Sequence, residues 1–447
     1  MTPTPGIPAK EFVNWSRNFD LPKFIRRASI ALALAIPAFS ARGETRPADD
    51  TFAELEKPGP VIRVVGSQGY RTFILMHWWE DGTVVDARGA RWSTYGWGKA
   101  IRHPRVNDTT RNSYPIQVGA DWIGAYPVRK DLYNFGFCPA PQSTRLFFIG
   151  GVVEGTQPLD ASWIESKASN GGGITLNALH GTIDGVRIHN IHDGILPLEG
   201  NDFTLKNCWI SRSRDDAIEN DGFASGLVDD CLFEDNYCFY SARNTAGGAG
   251  SARTPIDPKT GKHAGEFGAQ PEAPGGGRHS VIRFRNNLIG LGNLPGANSA
   301  AKRPGEKSDR DGFGHFWKQS DVRNPQVELV DNIFFIPRPF PGCEKNRYDV
   351  MPQGLKKAEG NIVIWMGDGR YPFAHPGFKV LSGTEGLAFW ENARAEWIAR
   401  HPGVGRVAGD PGYDPAVHGA AESPPADLLK AVAEVLDERP APTDRTR

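Results

Sequence analysis

The feature that most restricts this chain is a set of short segments between residues 180 and 365 that resemble one another without keeping a fixed period. GVRIHNIHDG from Gly185, DFTLKNCWIS from Asp202, SGLVDDCLFE from Ser225, SVIRFRNNLIG from Ser280, QVELVDNIFFI from Gln326 and KKAEGNIVIW from Lys356 share one pattern. Each alternates apolar and polar residues, reaches an Asn, Asp or Gly, and resumes with a second apolar pair. Period-two alternation reads as strand, and the recurrent polar residue reads as a tight bend. The bends expected at Asn190, Asn207, Asp229, Asn286, Asp331 and Gly360 begin about 20 residues apart, the length of a solenoid coil, and then spread as coils with insertions would. A hairpin sandwich would turn every ~8–12 residues without such self-similarity, and a helical repeat would carry a 3.6-residue period. Parallel strands stacked coil on coil, about 4.8 Å apart with their bends in one column, satisfy the pattern.

The content of 52 glycines and 35 prolines agrees with a turn-rich, strand-dominated chain. Fifty-one Lys plus Arg balance 52 Asp plus Glu, so no global field draws in nucleic acid or an anionic membrane, and a charged partner must be recognised locally. Lys23, Arg26 and Arg27 precede the run ASIALALAIPAFSA, the order of a secretory signal peptide ending near residue 41. That implies a secreted or periplasmic protein. No other stretch has the ~18 apolar residues of a membrane span. The five cysteines, Cys138, Cys208, Cys231, Cys238 and Cys343, are too scattered for a disulfide scaffold or a zinc site. Cys208 and Cys231 follow equivalent bends on neighbouring coils, where either a disulfide or a free inward ladder would fit.

These coils resemble the right-handed parallel β-helix superfamily that includes pectate lyases and polygalacturonases. The resemblance implies an all-β chain: a single-stranded right-handed parallel β-helix with long inserted loops, a short helical C-terminal segment and a polysaccharide substrate. The expected organisation is a signal peptide at 1–41, a lead-in or cap at 42–80, coils over 81–370 with insertions near 242–280 and 291–312, and a C-terminal packing segment at 371–447. GTVVDARG, IQVGADWIGAY, RLFFIGGVVEG and GITLNALHGTI are candidates for the first coils. GLAFWENARAEWIARH, GDPGYDP and ESPPADLLKAVAEVLDER resemble a tail that covers one end of the solenoid or lies along its side.

The stretch SRSRDDAIENDG, from Ser211 to Gly222, concentrates acids around one apolar pair. Setting Asp193-Gly194-Ile195 beside Asp216-Ala217-Ile218 and Tyr237-Cys238-Phe239 turns Glu219, Asp221, Tyr240 and Ala242 outward on one strip, with Arg243 just beyond. GHFWKQS then adds His315, Trp317 and Lys318 on the next coil. Stacked carboxylates 5–10 Å apart suit glycoside cleavage, in which one protonates the leaving oxygen and another attacks or activates water. The order of acids is similar to that of polygalacturonases: Asp193 matches the first acid, and Asp215 with Asp216 match the following pair. The family's Asn-Thr is Ile191-His192 here, its Gly-His-Gly is missing near Tyr237, and Arg283-x-Arg285 only echoes its Arg-x-Lys.

Three readings follow, the first preferred because the hydrolase motifs are incomplete. An elimination at a uronate-type sugar would draw its base and cations from Asp193, Asp216, Glu219, Tyr240, Arg243, His315 and Lys318, with Asp215, Asp216 and Glu219 available for Ca²⁺. A hydrolase of polygalacturonase type would use Asp193, Asp216 and Glu219. In either case Asp221, Arg214, Arg283, Arg285 and Trp317 are candidates for binding the chain of sugars. In the third reading the protein binds carbohydrate without cleaving it, and the acids are a coil corner, since Asp before Gly-Ile or Ala-Ile favours turn geometry. His189 and His192 are expected as outward polar residues.

Overall fold

The computed structural model describes residues 59–69, 81–94, 113–118, 121–127, 135–137, 145–159, 172–176, 180–197, 202–220, 223–242, 280–292, 314–319, 325–339, 343 and 345–423. All but two of their strands form three sheets of nine, ten and six strands, parallel at every pairing within these three. The chain visits the three sheets in rotation. One such coil is His180–Asp184 in the nine-stranded sheet, Arg187–His189 in the ten-stranded sheet and Asp193–Pro197 in the six-stranded sheet. The next is Asp202–Lys206, Trp209–Ser211 and Asp216–Glu219. Such a layout is consistent with a parallel β-helix. The coils extend past the expected ends, because Val61–Arg63 and Gly66–Gly69 pair with Thr83–Asp86 and Ala90–Thr94, and Phe378–Ser382 pairs with Asn361–Trp365.

The bends form two columns where the repeat suggested one. At the corner between the nine- and ten-stranded sheets, Gly150, Gly185, Asn207, Asp230, Asn286, Asp331 and Gly360 all have a left-handed backbone, with φ between 47° and 69°. Asn190 belongs to the next corner, with Arg212 and Asp235, and Asp229 ends its strand opposite Lys206 and Arg285. Apolar-Asn-apolar recurs at both corners of a coil, so similarity alone could not separate them. Left-handed φ favours Gly, Asn and Asp, and Asp230 meets that demand as well as Asp229.

Just inside the first corner the side chains form a ladder. Cys208 and Cys231 are buried free thiols, and the Cys208 amide donates to Cys231 Sγ at 3.4 Å. Asn287, Asn332 and Asn361 continue the column. The Asn287 amide donates to Asn332 Oδ1 at 3.1 Å, the Asn332 amide to Asn361 Oδ1 at 3.0 Å, and each side-chain nitrogen reaches a backbone carbonyl of the coil below. Every buried amide of the ladder is thereby satisfied.

The helix Gly383–Arg400 lies along the side of the ten-stranded sheet rather than over an end. Trp390 stacks on Phe335, and Trp397 meets Trp209 edge-on at 6.1 Å. Beyond it the tail returns toward the first coils. Asp410 pairs with Arg187, Arg91 donates to the carbonyls of Arg406 and His418, and Ser67 donates to Glu422. IQVGADWIGAY is no coil: Ser113–Val118 and Asp121–Pro127 pair antiparallel. No helix among the described residues is long and apolar enough to cross a membrane. The signal peptide, most of both insertions and the helix expected after Glu422 lie outside the described residues.

Candidate active site

Asp193, Asp216, Cys238 and His315 each open a strand of the six-stranded sheet. Pairing of Ile195 with Ile218, Asp216 with Cys238 and Cys238 with His315 sets them one above another. The Asp216 amide donates to Asp193 Oδ1 at 3.3 Å. One register differs from the expected one. Cys238-Phe239-Tyr240, not Tyr237-Cys238-Phe239, faces Asp216-Ala217-Ile218. A slip of one residue reverses the face of every side chain, and YCFYS is apolar enough on both parities to hide the true one. Tyr240 is therefore buried in the core against Phe284 and Trp317, its hydroxyl accepting from Asn220 Nδ2 at 2.9 Å, and Ala242 is buried beside it.

The centre of the site is an ion-paired cluster. Lys318, two strands above Asp216, extends its ammonium to Asp215 Oδ1 at 2.7 Å and Asp216 Oδ2 at 2.9 Å. Burial alone would lower the Lys318 pKa, but Asp216 and Asp215 outweigh it and hold the ammonium charged far past neutrality. Asp193 is only 7 % exposed and, among the described residues, forms no ion pair. Burial first, then the neighbouring Asp215 and Asp216, pushes its carboxyl well above the usual carboxylate range. Burial first, and then the neighbouring Asp216, likewise raises the Cys238 thiol. His192 approaches Asp215 at 3.6 Å.

The remaining candidates separate. Glu219 is partly exposed and pairs across to Ser241, the register partner of Lys318. His315 packs its ring 5.3 Å from Tyr237, whose hydroxyl accepts from Arg347 at 2.9 Å. Arg214 is not on the surface: it is buried and donates to the carbonyls of Pro158 and Leu159. Trp317 packs against the core and donates to Val350 O, so its ring is not a free platform. Arg283 and Arg285 stand on the nine-stranded sheet, paired with Glu328 and Asp229, away from the acids. Asp221 and Arg243 lie outside the described residues. Of the two histidines expected as outward polar residues, one is buried and the other half-buried. His192 is 3 % exposed, and His189 hydrogen-bonds to Ser211 at 2.8 Å with its pKa driven well down by burial and then by Arg187. Adjacency to Asp193 was the only sequence signal for His192, and nothing marked Arg347.

Ca²⁺ does not suit the expected set of Asp215, Asp216 and Glu219. It takes six to eight oxygen ligands, and the Lys318 ammonium already lies between the first two carboxylates. Donor atoms of His192, Asp193 and Asp215 do come within 4.8 Å of one another, but a ring nitrogen is foreign to an all-oxygen shell and Asp215 is already engaged by Lys318.

Compared with protein-family models, with curated proteins and with solved structures, the chain finds no match. The likeness to polygalacturonases thus rests on the order of its acids.

Proposed function

We propose that this chain is a secreted or periplasmic polysaccharide-cleaving enzyme whose groove runs over the six-stranded sheet of a right-handed parallel β-helix, and that it hydrolyses rather than eliminates. The observation that carries the reading is the unequal treatment of three neighbouring carboxyls. Asp193 is buried and, among the described residues, forms no ion pair, while Asp215 and Asp216 share an ammonium. Two carboxyl groups whose surroundings push their protonation apart are the acid and the base or nucleophile of glycoside hydrolysis. Asp193 gives its proton to the leaving oxygen. Asp215, the more exposed member of the pair at 16 % against 2 % for Asp216, attacks or activates water.

Elimination has less support. It needs an unprotonated base beside the sugar, whereas Lys318 is held as an ammonium, Tyr240 is in the core and the His315 ring packs against Tyr237; Arg243 lies outside the described residues. The acidic class of the polysaccharide comes from the resemblance alone. Incubating the protein with a panel of uronate-containing and neutral polysaccharides tests the proposal, with reducing ends and the ultraviolet absorbance of an unsaturated sugar read together. Reducing ends without absorbance, lost in Asp193→Asn, support hydrolysis. A rise in both restores elimination, and neither on a broad panel leaves a binding protein.

A further inference from the structure

Lys318 was a candidate base, and the geometry gives it another task. Its side chain starts on the strand His315–Gln319, passes the strand Cys238–Ala242 and ends between two carboxylates of the coil below that. We propose that Lys318 is the positioning residue of the cluster: by pairing with Asp215 and Asp216 and stopping short of Asp193, it fixes the two charged roles on the pair and leaves Asp193 as the acid. This rests on the hydrolase reading for its use but not for its measurement.

The groups that face the ammonium are few. Asp215 and Asp216 lie within ion-pair distance. Cys238 stands on the intervening strand and Asp193 on the coil beneath, each close enough to exchange charge effects with Lys318. His192 lies behind Asp215 at 3.6 Å, and Ser241 and Glu219 share the row of Lys318. Three clustered carboxyls and one ammonium cannot all keep their charges in a site this dry, so one proton must stay. It stays on the carboxyl the ammonium does not reach. Without the ammonium, Asp215 and Asp216 would repel each other at close range, and a second proton would be bound in the pair.

Isotope-edited infrared spectroscopy of substrate-free protein labelled in its aspartate carboxyls counts the protonated groups directly. At neutral pH the wild type should show a protonated-carboxyl band that Asp193→Asn removes. Lys318→Met should gain a second protonated carboxyl, and Lys318→Arg, which restores a permanent cation, should return to one. On a cleaved substrate, Lys318→Met should lose about 100-fold in turnover with a displaced pH profile, and Lys318→Arg should recover part of it. A band that survives Asp193→Asn overturns the assignment, even if Lys318→Met fails to fold. An unchanged proton count in folded Lys318→Met overturns the role of Lys318. A wild type that obeys the proton counts yet cleaves nothing sinks the hydrolase reading and leaves the assignment standing.

Discussion

A carboxyl group buried beside two others must either find a cation or hold its proton, and among the described residues Asp193 has a backbone amide at 3.3 Å and no ion pair. Its protonation ties stability to pH. In the unfolded chain an aspartate ionises near pH ~4, while the folded carboxyl retains its proton well above that. Over this window the native state binds more protons, so stability is greatest below the unfolded value and falls as pH rises toward the folded one. Asp193→Asn removes the linkage. Relative to wild type it should be more stable at neutral pH, with the advantage vanishing near pH ~4, and it should be inactive throughout. Denaturant midpoints of the two proteins across that range check the sign: a constant difference would show that Asp193 is already ionised in the folded state.

At the scale of elements, the asparagine ladder runs from the coil of Lys318, which holds Asn287, into the two coils beyond it. Asn332 accepts from the Asn287 amide, donates to Phe284 O, and passes the pattern on to Asn361. Asn332→Ala would leave buried groups on both neighbouring coils without partners, at a cost of about 2–4 kcal/mol. A lower urea midpoint with an unchanged slope is the expected result. The strands of these coils were legible in the sequence, because alternation such as DFTLK and QVELV can only bury one face. The corners were half legible. Asn207, Asn286 and Asp331 stood out, whereas Asn190 was assigned to the wrong corner because both corners accept the same residues. The acids of the site were legible as a cluster, Asp193 with Asp215 and Asp216, and Lys318 as a candidate on a neighbouring coil, but its pairing with two of the acids was not. Lys318 comes from a strand separated by more than 100 positions in the chain, and its two-strand reach depends on register. Where apolar residues occupy both parities, as in YCFYS, register is fixed by packing rather than by pattern, and Tyr240 was turned the wrong way.

In the molecule as a whole, the C-terminal segment acts as a strap laid across the ten-stranded sheet from the last coils toward the first. Its buried anchor is Arg187, 1 % exposed, bonded to both oxygens of Asp410 and lying 4.3 Å over the Trp209 ring. Asp410→Ala would strand that guanidinium without a counterion, and a loss of about 3 kcal/mol is expected in chemical denaturation. Because Arg187 and Trp209 sit on the coils that carry Asp193 and Asp216, the strap braces the coils of the site from the opposite corner. In the proposed hydrolase, these stacked coils create a carboxyl acid and a carboxylate partner at short range. Oxygens of Asp193 and Asp215 lie within 4.8 Å, on the short side of the roughly 5–5.5 Å typical of retaining enzymes and well under the wider spacing of inverting ones. Proton NMR of the first product released from an acidic oligosaccharide reads that geometry directly. A saturated sugar with retained anomeric configuration is the predicted result; an unsaturated or inverted product would contradict it.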